Sequence, residues 1–127
     1  MFVSPPLKVM LIDDRVQFPW YVLEPQQYEC ELTGDTYLIE RGFRTDGSSV
    51  PIAIAAVPLV GAALLARFFG GGVFKGFREG VLHDWLRRKN VVPAHVAHKV
   101  FREALYAAGY PPDLVENYYA ALRLFSR

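Results

Sequence analysis

The chain has 127 residues, 52% of them hydrophobic and 21% charged, with a formal net charge of +1. That length suits one domain with a real core, and that composition excludes an intrinsically disordered chain. The near-neutral balance also argues against a protein that holds nucleic acid by neutralising phosphates, so no nucleic-acid partner is expected.

Two Trp, seven Tyr and nine Phe mark a packing sequence. Cys30 is the single cysteine, which excludes an internal disulfide and a thiolate metal cage. The opening Met1-Phe2-Val3-Ser4-Pro5-Pro6 has no charged region followed by an apolar one, so no signal peptide is expected.

The first fifty residues read as strands. Lys8 to Ile12 and Tyr21 to Leu23 are short candidates, punctuated by Pro19 and Pro25, which suit strand ends and sheet edges. Tyr28, Cys30 and Leu32 alternate with Gln27, Glu29 and Glu31, the period of a half-buried strand. Thr33-Gly34-Asp35 supplies a turn, and Thr36 to Ile39 returns as the partner strand. A small antiparallel meander follows from this spacing.

From Pro51 the pattern changes. Residues Pro51 to Ala66 are apolar without interruption, followed by Arg67, Phe68-Phe69 and Gly70-Gly71-Gly72. The run is short of the roughly 20 apolar residues a membrane span needs, and Pro58 and Gly61 divide it. A buried helix from about Pro58 to Phe69 is one reading; an apolar hairpin that docks on a partner or a membrane surface through 51–74 is the other. A lysis-associated role would act through the same segment. Because three glycines carry no side chain to pack, part of the stretch is expected in a contact with another subunit or partner, made by Leu64, Phe68 and Phe69.

Three helices follow. In the first, Phe74, Phe77, Val81 and Trp85 recur at helical spacing, and Arg87-Arg88-Lys89 reads as its solvated end. The second begins at Pro93, carries Ala97, Val100, Phe101, Ala104 and Leu105 on its inner stripe, and ends at Gly109. The third opens after Pro111-Pro112, with Leu114, Val115, Tyr118, Leu122 and Phe125 on one face. The fold class is therefore α+β, a small antiparallel β-meander followed by three or four packed helices. One domain is expected over 1–127, β-rich over 1–50 and helical over 51–127.

Two segments are polar islands. Gly42 to Pro51 places Thr45, Asp46, Gly47, Ser48 and Ser49 in a loop leaving a strand. Asp-Gly builds a turn by itself, yet the loop also offers a carboxylate and backbone N–H groups to a cation or ligand. The second island, His83-Asp84, lies on a helix, where neighbours diverge by about 100° and cannot pair with each other, although both can border one cavity. His83 is a candidate general base and Asp84 a candidate cation ligand. The competing reading is a buried structural histidine, bonded to the loop through Asp46 or Ser48, with Asp84 bridging elements. On the next helix His95 and His98 share a face, His98 turned partly inward and His95 exposed; such a pair could ligate a metal. No metalloprotease helix motif, P-loop, nucleophile elbow or dinucleotide fingerprint occurs.

Together, Gly42 to Pro51, Val81 to Leu86, Phe101 and the ending Tyr119 to Phe125 resemble a family of small phage and prophage proteins of unknown function. The resemblance implies a virion component of the tail or baseplate, present in the virion or the bacterial host cytoplasm. Its partners would be other phage structural proteins or further copies of the chain. Two positions depart from that family's pattern: Arg87 stands in place of a Tyr, and His98 in place of an Asp. Gly70-Gly71-Gly72 followed by His83-Asp84 is also similar in order to calcium-dependent secretory phospholipases. That likeness implies a cation-assisted hydrolase, acting on phospholipid or cell wall. His83 would be its base, Asp46 and Asp84 would hold Ca or Zn, and His98 would assist. Otherwise no cofactor is expected. Arg87 and His98 occupy the positions that would orient the histidine in such an enzyme, which favours the structural role.

Overall fold

The computed structural model describes residues 1–11, 20–45 and 76–125. Among these residues the elements are, in order, five short strands, β1 (Val9–Leu11), β2 (Trp20–Val22), β3 (Gln26–Glu29), β4 (Thr36–Ile39) and β5 (Arg44–Thr45), and three helices, α1 (Phe77–Arg88), α2 (Ala94–Ala107) and α3 (Pro112–Phe125). The arrangement is α+β, with the antiparallel strands first and the helices after them.

The strands divide between two small sheets instead of forming one meander. One has the order β1-β2-β5, with Val9 opposite Val22 and Trp20 opposite Thr45. The other is the hairpin β3-β4, running from Gln26 opposite Ile39 to Glu29 opposite Thr36. Along the hairpin Gln26, Tyr28, Tyr37 and Ile39 are buried, while Glu29, Thr36 and Leu38 face out. The alternation expected through Leu32 stops at Cys30. The chain turns there, with Gly34 donating its N–H to the Cys30 carbonyl and Leu32 left 53% exposed.

Strand β5 was not expected as a strand. It lies inside the polar loop segment and pairs back on β2. Gly42, just before it, has φ +92°, and a Cβ there would lie 3.2 Å from the Tyr21 hydroxyl oxygen. Only glycine meets both conditions, the left-handed backbone and the close approach.

Helix α1 departs from the simple stripe. Its buried residues are Glu79, Gly80, Val81, Leu82, His83 and Leu86, whereas Phe77 and Trp85 are half-buried. These positions go most of the way round the helix. It packs on α2 and on β5, and its Trp85 ring lies 6.1 Å from that of Tyr37 on β4. The α2 ending is a Schellman motif: Gly109, at φ +89°, donates to the Tyr106 carbonyl and Tyr110 to that of Leu105. Proline in the first turn of α3 costs that helix no internal hydrogen bond. The α2–α3 core holds Phe101, Leu105, Leu114, Val115, Tyr118 and Leu122.

Two side chains fasten the strands to the helices. Arg78 donates to Gln26 Oε1 (2.8 Å), to the Ser4 hydroxyl (3.0 Å) and to the Ser4 and Pro5 carbonyls, and its guanidinium lies over the Phe2 ring. Glu103 accepts from Tyr28 Oη (2.7 Å), Leu32 N (2.9 Å) and Glu31 N (3.2 Å). Burial pushes its carboxyl up, but these donors outweigh burial and hold it below the ordinary carboxylate range.

Candidate functional site

The two polar islands meet at the start of the loop. Thr45, fully buried on β5, donates its hydroxyl to Asp84 Oδ2 at 2.8 Å. Arg88, one turn further along α1, reaches the same oxygen at 3.4 Å and also donates to the Arg44 carbonyl. A threonine can make this link because its side chain points to one sheet face while Arg44, its neighbour, points to the other. The Asp84 carboxylate is thus held between β5 and the last turn of α1.

The basic stretch is part of the same attachment. Arg88 lies over the Phe43 ring at 4.8 Å, and Lys89 pairs with Glu40 at 2.9 Å, a carboxylate that also accepts from the Trp85 indole. Arg88 and Lys89 are exposed at the helix end, as expected, and also bind the connection between β4 and β5.

His83 turns the other way, into the seam between α1 and α2. It is 3% exposed, and its Nε2 lies 2.8 Å from Nδ1 of His98, itself 4% exposed. The two rings stack with centroids 5.0 Å apart. One nitrogen of this contact carries the proton and the other accepts it, so the bond needs at least one neutral ring. Burial first, then the neighbouring His98 and Arg87, hold the His83 imidazole down at about 3. It is neutral at physiological pH. Phe101 meets the His83 ring edge-on at 5.6 Å and passes the contact to Tyr118 at 5.4 Å.

Glu79 extends the seam. It sits one helical turn before His83 and is 5% exposed. Burial pushes its carboxyl up, against the lowering effect of its own backbone N–H and of Arg78. Glu79 in turn adds to the burial that raises the hydroxyls of Tyr110 and Tyr118. The interior between α1, α2 and α3 therefore holds a row of polar groups: Glu79, His83, His98 and the Tyr118 ring.

The structure brings Thr45 to Asp84 and His83 to His98, but directs these two pairs to different neighbours. Among the described residues His83 meets His98 on α2 and Asp84 meets Thr45 on β5, so α1 gives the two adjacent side chains different partners. Of the expected cation ligands, Asp84 meets Thr45 and His98 meets His83, and no group of three His, Cys, Asp or Glu side chains converges among the described residues. His95 is exposed and His98 buried, as their spacing implied. Asp46, Gly47, Ser48 and Ser49 of the loop lie outside the described residues. So do the helix expected over 58–69 and the contact residues Leu64, Phe68 and Phe69. Among the described residues no helix is long and apolar enough to cross a membrane.

Three participants escaped the sequence reading: Glu79, Glu103 and Arg78. Glu79 had a detectable signal, since it lies at i−4 from His83 and shares its face. Glu103 and Arg78 had none, because their partners are more than fifty residues away in the chain.

No curated protein and no solved structure matches the chain. A family described as a protein of unknown function, DUF1353, matches residues 20–122, a span that holds β2 to β5, α1, α2 and most of α3. The chain belongs to the DUF1353 family.

Proposed function

We propose that the chain is an accessory structural component that acts through protein–protein contacts, a phage or prophage protein of the virion tail or baseplate. The observation that supports a structural reading is the His83–His98 bond. The one candidate general base is interior, neutral, and spends its Nε2 on a second imidazole at 2.8 Å. A base near neutral pH must take up a proton in the reaction, and a group held at about 3 resists that. The phage setting rests on the resemblance of the Gly42–Pro51 and Val81–Leu86 segments.

Mass spectrometry of purified particles from the phage or induced prophage that carries the gene tests this reading. The chain at a fixed copy number per particle supports it; its absence from intact particles overturns it.

One feature favours a second reading, the cation-assisted hydrolase. His98 contacts His83 where an orienting partner would, through a single ring nitrogen. An imidazole, however, carries no negative charge to offset imidazolium as a carboxylate does, and loss of that partner costs several powers of ten in rate. Turnover of phospholipid vesicles or cell-wall sacculi with added calcium or zinc, lost in His83→Ala, would establish the enzyme instead.

A further inference from the structure

Folding brings together two groups of cations that lie far apart in the sequence. One is on the connection between β4 and β5 and on β5 itself, with Arg41 and Arg44; the other is at the end of α1, with Arg87, Arg88 and Lys89. Arg88 donates to the Arg44 carbonyl and lies over the Phe43 ring, and Lys89 pairs with Glu40. Arg41 stands at the tip of the connection, where the Phe43 N–H donates to the Glu40 carbonyl and Gly42 takes its positive φ. Arg41, Arg44, Arg88 and Lys89 are all exposed. Glu40 to Thr45 and Asp84 to Lys89 together hold five cations and two acids. Both acids are engaged within the patch, Glu40 by Lys89 and the Trp85 indole, Asp84 by Thr45 and Arg88. Adding Asp46, next in the sequence, leaves five against three.

The rest of the described residues carry five cations and eight acids, so positive charge is gathered in this one place. A surface of one sign selects a partner of the other. A DNA duplex or an anionic membrane spreads its charge well beyond a patch of this size, and would also meet the acids that prevail elsewhere on the molecule. A short acidic segment of a protein meets the cations alone. Most of these cations are arginines, whose planar fork matches the two oxygens of a carboxylate. The patch is also set in advance. The Gly42 N–H donates to the Val22 carbonyl and the Val22 N–H to that of Phe43, so little order remains to be imposed on association.

We propose that the patch of Arg41, Arg44, Arg87, Arg88 and Lys89 binds an acidic segment of a partner protein. This names the surface and the chemistry of what it receives, and rests on the reading that the chain acts through protein contacts.

Fluorescence anisotropy of a labelled oligoglutamate peptide titrated with the full chain, at low and high salt, is the test. The wild type is expected to bind the peptide, less tightly at high salt. Arg41→Glu and Lys89→Glu should each weaken binding about tenfold or more. Lys99→Glu, an equal change of charge on α2, should leave it within about twofold. All three positions are exposed, so unchanged circular-dichroism melts are expected and separate a lost surface from a lost fold. A wild type that does not bind the peptide overturns the proposal, as does a loss in Lys99→Glu as large as in the other two. Tighter binding of a DNA duplex of matched charge, or of phosphatidylglycerol vesicles, at the same salt also overturns it, in favour of nucleic acid or membrane. None of these outcomes bears on whether the chain occurs in virions, which the particle analysis decides separately.

Discussion

The His83 imidazole makes the fold sensitive to acid in a defined window. In the native state it is held at about 3, whereas in the unfolded chain it titrates near 6.5. The unfolded state therefore binds the proton first as pH falls, and stability drops. The contribution is complete above the unfolded value and is lost progressively between about 6.5 and 3, at up to about 1.4 kcal/mol per pH unit. From pH 7 to pH 5 this amounts to about 2 kcal/mol, a large part of the margin of a small domain. Other groups titrate too. Glu103 is held low, so its contribution fades only as pH falls through the carboxylate range, while Glu79 is raised and acts in the opposite sense. The useful comparison is therefore with His83→Gln, whose amide can still reach His98 Nδ1 but does not titrate. Urea unfolding at pH 7, 6 and 5, followed by Trp fluorescence, should show a steeper loss in the wild type than in the variant. Equal slopes over that interval would refute the assignment of a neutral, acid-resistant His83.

Replacing Glu79 with Gln removes a carboxyl whose raised value costs stability as pH climbs through it; the variant should gain relative to the wild type at pH 8 compared with pH 5, read from the same urea curves. Thr45→Val keeps the shape of a fully buried side chain but removes the hydroxyl bond to Asp84, and should cost about 1–2 kcal/mol in thermal unfolding. Glu103→Ala leaves the Tyr28 hydroxyl and two turn N–H groups without their acceptor, and should cost about 3 kcal/mol.

Local chemistry was legible in the sequence where it is self-contained. Pro93, Gly109 and Pro111-Pro112 bracket α2 and open α3 because a missing N–H and a left-handed backbone act within a few residues. The β3–β4 hairpin was legible for the same reason, apart from Leu32, which lies beyond the strand end. Helix α1 was harder. It is surrounded, so its buried face includes Glu79 and His83 as well as Val81, Leu82 and Leu86, and a search for apolar periodicity centres on Phe77 and Trp85 instead. The inward turn of His98 followed from its helical spacing. Its partner did not, because that depends on how α1 and α2 pack. Strand β5 is two residues long and exists only through β2.

The Arg78 and Glu103 attachments also bear on the order in which the chain assembles. Helices α1, α2 and α3 are joined by short connections, so their mutual contacts close small loops and can form early. The Arg78 bonds to Ser4 and Pro5 and the Glu103 bonds to Tyr28, Glu31 and Leu32 each join residues 71 to 75 positions apart. Contacts of such separation belong to the late side of the folding barrier. Loss of Glu103 should consequently accelerate unfolding in stopped-flow measurements while leaving the refolding rate close to that of the wild type. In that sense the two clamps act as latches, which set how long the closed molecule persists and not how fast it is reached.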